Sequence, residues 1–560
     1  MIVPLCAMAL VALQVLRFHA WLFSQPVLVH ARDEGYIAAF ALRMLEGRML
    51  PYVDAVSQRG PLLYYGVAWM GHLFDPLTWM PVRAMSVLAI GGSLTATSLA
   101  AWLARRPLTA AVAALAGACV YFISMEAYDA LGLSGEHLLN AFLLAAFCCL
   151  VVALRRERHV PSPGWLFAAG ALTSCAALSK HFGLVGHLPF GLWVLAAAWR
   201  EGAPPRARRV AVGAYAAGAV IPIAALLVRY AAASELGALH YWLIVYTRDI
   251  YMAPLDYPGY RAEVYRQWLV HNILAIGAGL TLAASGFTRL LTAAPLATPE
   301  PRSLRDRVRD RVRASIRAYD EHGFVLCASV MAVIGILVCN ATLRGFPHYA
   351  IVVVPWCGLL LGEVVTAHLG ESPRGGVRVL AQVLVLVPGA ALFLLGSSQL
   401  LARYRADQRA DRLWLDDRYW TDAQLRQMCA EMDPYARRGE RIFVWGFAPV
   451  FYVGCGRRPA TRYLMTTYPS GFVPWFRATK AEDDARAVPG SRAQLLADLE
   501  TTKPRVILDV PSSMDNRSMD HYETLGAYLH EHYCRGKTVL ASTLYARRTD
   551  EGACPPGTEP

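Results

Sequence analysis

Apolar residues in this chain gather into blocks of about 17 to 25 positions, the length an α-helix needs to cross roughly 30 Å of hydrocarbon while satisfying its own backbone hydrogen bonds. About eleven such blocks occur, at 2–24, 80–103, 108–124, 137–154, 164–180, 183–199, 210–230, 268–290, 323–341, 349–368 and 377–398. With 56% hydrophobic residues over 560 positions, the chain holds more apolar surface than one soluble core would use. The expected fold is therefore an α-helical polytopic membrane protein. No basic residue precedes the first block, so it is expected to be the first span and not a cleaved signal peptide. After Gln399 the blocks stop. Residues 400–560 carry ordinary charge and should form a separate soluble domain.

A net charge of +12 could point to nucleic acid, but the arginines are concentrated in short connections between blocks, where they set orientation in a bilayer. Arg105 and Arg106, "RRER" at 155–158, "REGAPPRARR" at 200–209 and "PRSLRDRVRDRVRASIR" at 301–317 all fall on one side by alternation. That side is expected to be the cytoplasm. The N-terminus then lies inside, and His30–Met80 and the C-terminal domain lie outside.

Eight of the twelve cysteines sit in or beside spans, where they read as small buried hydrophobes. Cys429, Cys455, Cys534 and Cys554 fall in the external domain, where one or two disulfides are permitted. No Cys or His spacing argues for a metal site, although a divalent cation stays open. In the C-terminal domain "RIFVWGF", "RVILDVP" and "TVLASTLYARR" read as strands and 421–437, 491–502 and 518–533 as helices, giving a small α/β domain. It has no Gly-rich phosphate loop or DxD motif for a nucleotide sugar.

The first external stretch, "HARDEGYIAAFALRMLEGRMLPYVDAVSQRGPLLYY", carries four acids between very apolar surroundings. From Asp33, Tyr36, Ile37, Phe40, Ala41, Met44 and Leu45 recur at helical spacing, so a helix lying in the membrane interface is expected, with a second short helix over 62–74. Asp33 takes the N-cap position of the first, and capping alone can explain one acid there. It does not explain the adjacent pair Asp33–Glu34 opposite the basic "QRGP" element. Capping and catalysis both remain open on these residues.

The acidic pair, "LEGRMLPYVD" and "SQRGPLLYYGVAWMGHLF", with "GLSGEHLLNAF" at 132–142, "ALSKHFGL" at 177–184 and "TLRGFPHYAIVVVPW" at 342–356, resemble the GT-C superfamily of lipid-sugar-dependent glycosyltransferases. The nearest branches are the protein O-mannosyltransferases, the aminoarabinose transferases that modify lipid A and the lipopolysaccharide-core sugar transferases. The pattern departs from the aminoarabinose transferases at one place: where they carry an acid before the basic residue, this chain has Gln58 before Arg59. Asp54, four residues earlier, is a candidate to take over part of that role.

The resemblance implies an inverting glycosyltransferase of the bacterial inner membrane. It would move a hexosyl or pentosyl group from a polyprenyl-phosphate donor to a lipid, glycan or protein acceptor at the external face. One general base and one or more cations then suffice, because phosphate leaves as an already weak base. Asp33 is the expected base, and Glu34 shares that role or orients the acceptor. Arg59 is the first choice for the donor phosphate, since a guanidinium grips two oxygens at once. Lys180, Arg344 and His348, with His181 in support, stand at external ends of predicted spans. Snorkelling for Lys180 and Arg344, and an interfacial hydrogen bond for His181 and His348, are the favoured readings beside that role. Glu136 is either a third acid or a helix cap, with the cap favoured.

The aromatic run from His240 to Trp268 reads first as an interfacial belt and second as a sugar-stacking loop. Trp445, Arg457 and Arg458 are candidates to face the site from the C-terminal domain, with a strand and turn carrying solvated arginines the favoured reading of that segment. A flippase of lipid-linked sugars or a non-catalytic envelope assembly protein would show similar spans. The gathering of ionisable groups at the external ends of spans, and not along a path through them, favours transfer.

Overall fold

The computed structural model describes residues 2–24, 31–121, 132–154, 161–200, 204–251, 319–320, 322–337, 347–370, 376–409, 414–416, 420–472 and 479–560. Long apolar helices dominate up to Arg409. Among the described residues five of them, Met80–Leu103, Gly135–Ala153, His181–Ala198, Pro205–Ala232 and Gln382–Arg403, are long and apolar enough to cross a membrane. Four shorter apolar helices lie at Leu5–Trp21, Pro107–Cys119, His322–Leu337 and Val354–Ala367. All fall on blocks expected from the sequence. The block at 268–290 and the basic run at 301–317 lie outside the described residues.

Helix boundaries follow the local chemistry. Proline opens α3 (Pro61–Met70), α5 (Pro107–Cys119) and the helices Pro163–Ser179 and Pro205–Ala232, where its missing N–H costs nothing. The last long helix, Gly376–Arg409, runs ten residues past Gln399 before strand β1 (Trp414–Asp416) begins. Small residues let helices approach closely. A Cβ on Gly170 would sit 2.2 Å from the Tyr215 carbonyl oxygen, and one on Gly218 would sit 2.0 Å from that of Phe167, so Pro163–Ser179 and Pro205–Ala232 pack backbone to backbone.

The C-terminal part is built on a five-stranded sheet in the order β4-β3-β5-β7-β6. Strand β3 (Arg441–Trp445) pairs in parallel with β4 (Arg458–Pro459) and β5 (Val506–Asp509), while β7 (Ser542–Arg547) runs antiparallel to β5 and to β6 (Tyr533–Val539). The single strand expected over "TVLASTLYARR" is thus the turn of a hairpin. Its positive-φ pair Leu540–Ala541 supplies the tight reversal. Disulfides Cys429–Cys455 and Cys534–Cys554 tie helix to helix end and sheet edge to C-terminus.

Asp509, the last residue of β5, is 2% exposed; its Oδ2 accepts hydrogen bonds from the Ser518 hydroxyl and, at 3.3 Å, from the Met519 N–H. Burial outweighs those bonds and pushes its carboxyl up to about 7. The folded chain therefore holds this proton more tightly than the unfolded one. The resulting stability is fully present below the ordinary value of about 4 and is lost as pH rises through about 7. Asp509→Asn is expected to raise the thermal midpoint by on the order of 5 °C at pH 8 and to leave it unchanged at pH 4.

Helix α2 (Ala31–Glu46) differs most from expectation. It starts at Ala31, so Asp33 lies inside the first turn and is not the N-cap. It is also no interfacial helix. Every residue from Glu34 to Leu42 is buried, and Ile37, Phe40 and Met44 are fully so, each contributing about 1.5–3 kcal/mol. The cover is protein: α3, α4 (Met80–Leu103) and the short helix Val450–Gly454 of the C-terminal part pack around it. Gly35 is required there, since a Cβ would meet the Val450 backbone at 3.0 Å. At the far end Glu46 receives Arg441 at 3.0 Å and Arg458 at 3.1 Å, both from the C-terminal part.

Candidate active site

The end of α2 that follows the first long helix gathers the chemistry. Asp33 and Glu34 diverge, as neighbours on a helix must. Asp33 is partly exposed and its Oδ1 accepts a 2.6 Å hydrogen bond from Arg59 Nη2. Glu34 is 3% exposed, and its Oε1 accepts from the Leu133 N–H at 2.8 Å. Arg83, at the start of α4, lies within electrostatic reach of Glu34. The two acids are therefore differently employed: Glu34 ties α2 to the segment before Gly135–Ala153, and Asp33 faces a cation in the open.

Arg59 is itself firmly placed. Its backbone N–H donates to Ser57 Oγ at 3.1 Å, and its carbonyl accepts from the Tyr52 hydroxyl at 2.6 Å. Its guanidinium lies 5.7 Å from the centroid of the Tyr36 ring. Burial works against its charge, but the Asp33 and Tyr64 groups outweigh that, so its acidity falls well below that of free arginine. The next residue, Gly60, has no room for a side chain: a Cβ would stand 2.3 Å from the Leu178 carbonyl oxygen and 2.5 Å from that of Ser179. That contact brings "QRGP" against the end of Pro163–Ser179, directly before Lys180.

Lys180 closes the second half of the site. Its ammonium pairs with Glu136 Oε1, and it lies 4.5 Å from the Tyr349 ring centroid. Glu136 is 2% exposed. It sits in the first turn of Gly135–Ala153 and is an ion-pair partner instead of the cap favoured from sequence. Ser134 holds the cap position, and its hydroxyl bonds His137 at 2.9 Å. Lys180 is accordingly not a snorkelling lysine. His181 opens the turn His181–Gly186 and is exposed, on the far side of Lys180 in sequence.

Asp54 does not join this group. Its Oδ1 accepts from the Arg48 N–H at 3.0 Å and its Oδ2 from the Leu50 N–H at 2.7 Å, which closes the turn after α2. Gln58 does face inward, and its Oε1 accepts from the Tyr468 hydroxyl at 2.8 Å. Arg344 lies outside the described residues. His348 lies in the turn Pro347–Val352, next to the Tyr349 that covers Lys180, and its side chain lies outside what is described. Among the described residues no group of three or more His, Cys, Asp or Glu is arranged to hold a metal ion.

Two sequence expectations for the surroundings are corrected. Trp445 is fully buried, its Nε1 donating to the Arg517 carbonyl at 3.0 Å, and Arg457 is buried against Cys455 and Asp433, so with Arg458 on Glu46 none of the three faces the site. In the aromatic run, Trp242 and Tyr246 form no belt. Each is 6% exposed and packs on Tyr468, with centroids at 5.0 and 5.4 Å. Residues 252–268 of that run lie outside the described residues. Tyr468 and Arg83 were not anticipated. Arg83 had a readable signal, an arginine just inside an apolar block; Tyr468 had none.

The helical bundle collects paired acids and cations at one end, beneath the α/β part. Within it, the family model described as dolichyl-phosphate-mannose-protein mannosyltransferase matches residues 49–245. The fold is similar to that of ArnT from Cupriavidus metallidurans bound to undecaprenyl phosphate, at 14% identity and a TM-score of 0.53, covering 99% of this chain and 98% of that one. The same protein in the apo state matches at 15% identity and a TM-score of 0.50, covering 92% and 93%. The Archaeoglobus fulgidus oligosaccharyltransferase in the apo form is more distant, at 12% identity and a TM-score of 0.47, covering 99% of this chain and 75% of that one. No curated protein matches the chain in sequence.

Proposed function

We propose that the chain is an inverting glycosyltransferase that moves a sugar from a polyprenyl-phosphate donor to a lipid, glycan or protein acceptor at the external face of a bacterial inner membrane. In this reading residues 1–399 form the membrane-embedded catalytic domain, with about eleven spans, and residues 400–560 form a periplasmic domain. The two disulfides among Cys429, Cys455, Cys534 and Cys554 support an oxidising compartment for the latter. The single observation that carries the reading is the Asp33–Arg59 pair at 2.6 Å beside the Lys180–Glu136 pair.

In that geometry each cation is held by a resident carboxylate until a donor arrives. A partly exposed pair such as Asp33–Arg59 is worth only about 1 kcal/mol, whereas a guanidinium on a phosphate makes two charge-assisted bonds, so the donor phosphate displaces Asp33 readily. The released carboxylate accepts the proton of the acceptor hydroxyl. The hydroxyl oxygen forms its bond to the anomeric carbon from the face opposite the phosphate. The anomeric C–O bond breaks, and its electron pair leaves on the lipid phosphate, held by Arg59 with Lys180. One displacement inverts the anomeric configuration.

Glu34 positions the α2 start through Leu133. His348, next to Tyr349 in sequence, and Arg344, earlier in the same stretch, are candidates for further phosphate contacts, and His181 for a supporting one. Mass spectrometry of envelope lipids, glycans and glycoproteins from a strain lacking the protein tests the reading. Loss of one sugar from one acceptor class, with its lipid-linked donor accumulating on the external leaflet, is expected; the same loss with the donor held on the cytoplasmic leaflet would favour a flippase instead.

A further inference from the structure

The stretch that presents Arg59 is not held by the helical bundle alone. Three contacts reach it from the C-terminal part. The Val56 N–H donates to the Arg462 carbonyl at 3.2 Å. The Tyr468 hydroxyl donates to Gln58 Oε1 at 2.8 Å, across 410 positions of sequence. The same hydroxyl lies 3.3 Å from that of Tyr36, which in turn donates to the Val56 carbonyl. Tyr36 carries the ring that the Arg59 guanidinium overlies. Thus the two side chains that the Tyr468 hydroxyl meets, Gln58 and Tyr36, are the chain neighbour of Arg59 and the ring beneath it.

Tyr468 is built to hold still. It is 4% exposed, and its ring is wedged edge-on against Trp242 and Tyr246. Its carbonyl accepts the Val488 N–H at 2.9 Å, fixing the short helix Thr467–Ser470 to the segment before Ser491–Thr502. Gly471 ends that helix at φ +73°, where a Cβ would meet the Asp483 carbonyl oxygen at 1.7 Å, so the chain turns away sharply at that residue. Burial holds the phenol proton on at any physiological pH, so Tyr468 is a permanent donor to Gln58.

We infer that Tyr468 is a positioning residue for the phosphate site: through Gln58 and Tyr36 it fixes the place of the Arg59 guanidinium, and the C-terminal part thereby completes the donor site. Gln58 gains a purpose by this. An amide at that position accepts from the neutral phenol without adding a negative charge next to the phosphate, which the acid of the aminoarabinose pattern would do. The inference rests on the proposed role of Arg59.

The test uses the full-length protein in lipid nanodiscs with undecaprenyl phosphate as probe, which measures binding without requiring any sugar or acceptor. Tyr468→Phe keeps the ring and removes the hydroxyl. It should weaken undecaprenyl phosphate binding about fivefold, the scale of one lost hydrogen bond, while the thermal midpoint without lipid falls by no more than about 2–4 °C. Gln58→Leu should do the same, and the double variant should be no weaker than either single one, because both act on one interaction. Unchanged binding in Tyr468→Phe, or losses that multiply in the double variant, would overturn the inference. If the unsubstituted protein binds the probe but transfers no sugar, only the proposed reaction fails. If it does not bind, the phosphate site and the inference fall together.

Discussion

Asp33→Asn is expected to lower the turnover of sugar transfer by about 10²–10⁴-fold, the usual contribution of a positioned general base, while the protein still folds and reaches the membrane. The amide is nearly the same size and can still accept one hydrogen bond from Arg59, but it cannot take the acceptor's proton. Losing the charge of a pair that is about a quarter exposed on either side costs roughly 1 kcal/mol or less, so the thermal midpoint should move by no more than a few degrees. Turnover measured on purified enzyme, beside a thermal unfolding scan, separates the two. Full transfer by the variant would reduce Asp33 to an acid that favours the first turn of α2 through the helix dipole.

Arg59→Ala should act on the other side of the reaction, raising the apparent donor KM by about 10- to 100-fold, since a charge-assisted contact is worth about 1.5–3 kcal/mol. Arg59→Lys should recover part of this, because the charge returns and the two-pronged grip does not. Turnover at saturating donor should fall less than in Asp33→Asn. An unchanged donor KM in Arg59→Ala would remove Arg59 from the phosphate site and pass that role to Lys180 alone. The Glu136 carboxylate next to Lys180 makes the comparison informative: Glu136→Gln should release the lysine and tighten donor binding, not loosen it.

The membrane architecture was legible because a span announces itself locally, by length and hydropathy, and the blocks at 80–103, 137–154 and 210–230 coincide with helices to within a few residues. The helix at 491–502 and the strands in "RIFVWGF" and "RVILDVP" were readable by the same local periodicity. Asp33, Glu34, Arg59, Lys180 and Glu136 could be picked out from residue type and from the motifs around them. Their pairing could not. Periodicity tells that α2 has an apolar face but not whether lipid or protein covers it, and here the Val450–Gly454 helix does. Likewise Trp242 and Tyr246 look like belt residues in sequence, because an aromatic side chain carries no local mark of the partner that buries it. Tyr468 and the pairing of Glu46 with Arg441 and Arg458 were invisible for the same reason, as contacts made across hundreds of residues leave no spacing to read.

The burial of α2 bears on how chains of this fold can be recombined. With Gly35 pressed on Val450, Glu46 clasped by two arginines from the sheet and the Tyr468 hydroxyl on Gln58, helix α2 is covered by protein from Glu34 to Leu42. A chimera that grafts the last 160 or so residues of a distant homologue onto this bundle would leave apolar ground uncovered and Glu46 with Arg43 alone. Such hybrids should misfold unless the graft carries its own matching glycine contact and arginine pair, so acceptor specificity is better re-engineered by loops than by swapping the cap whole.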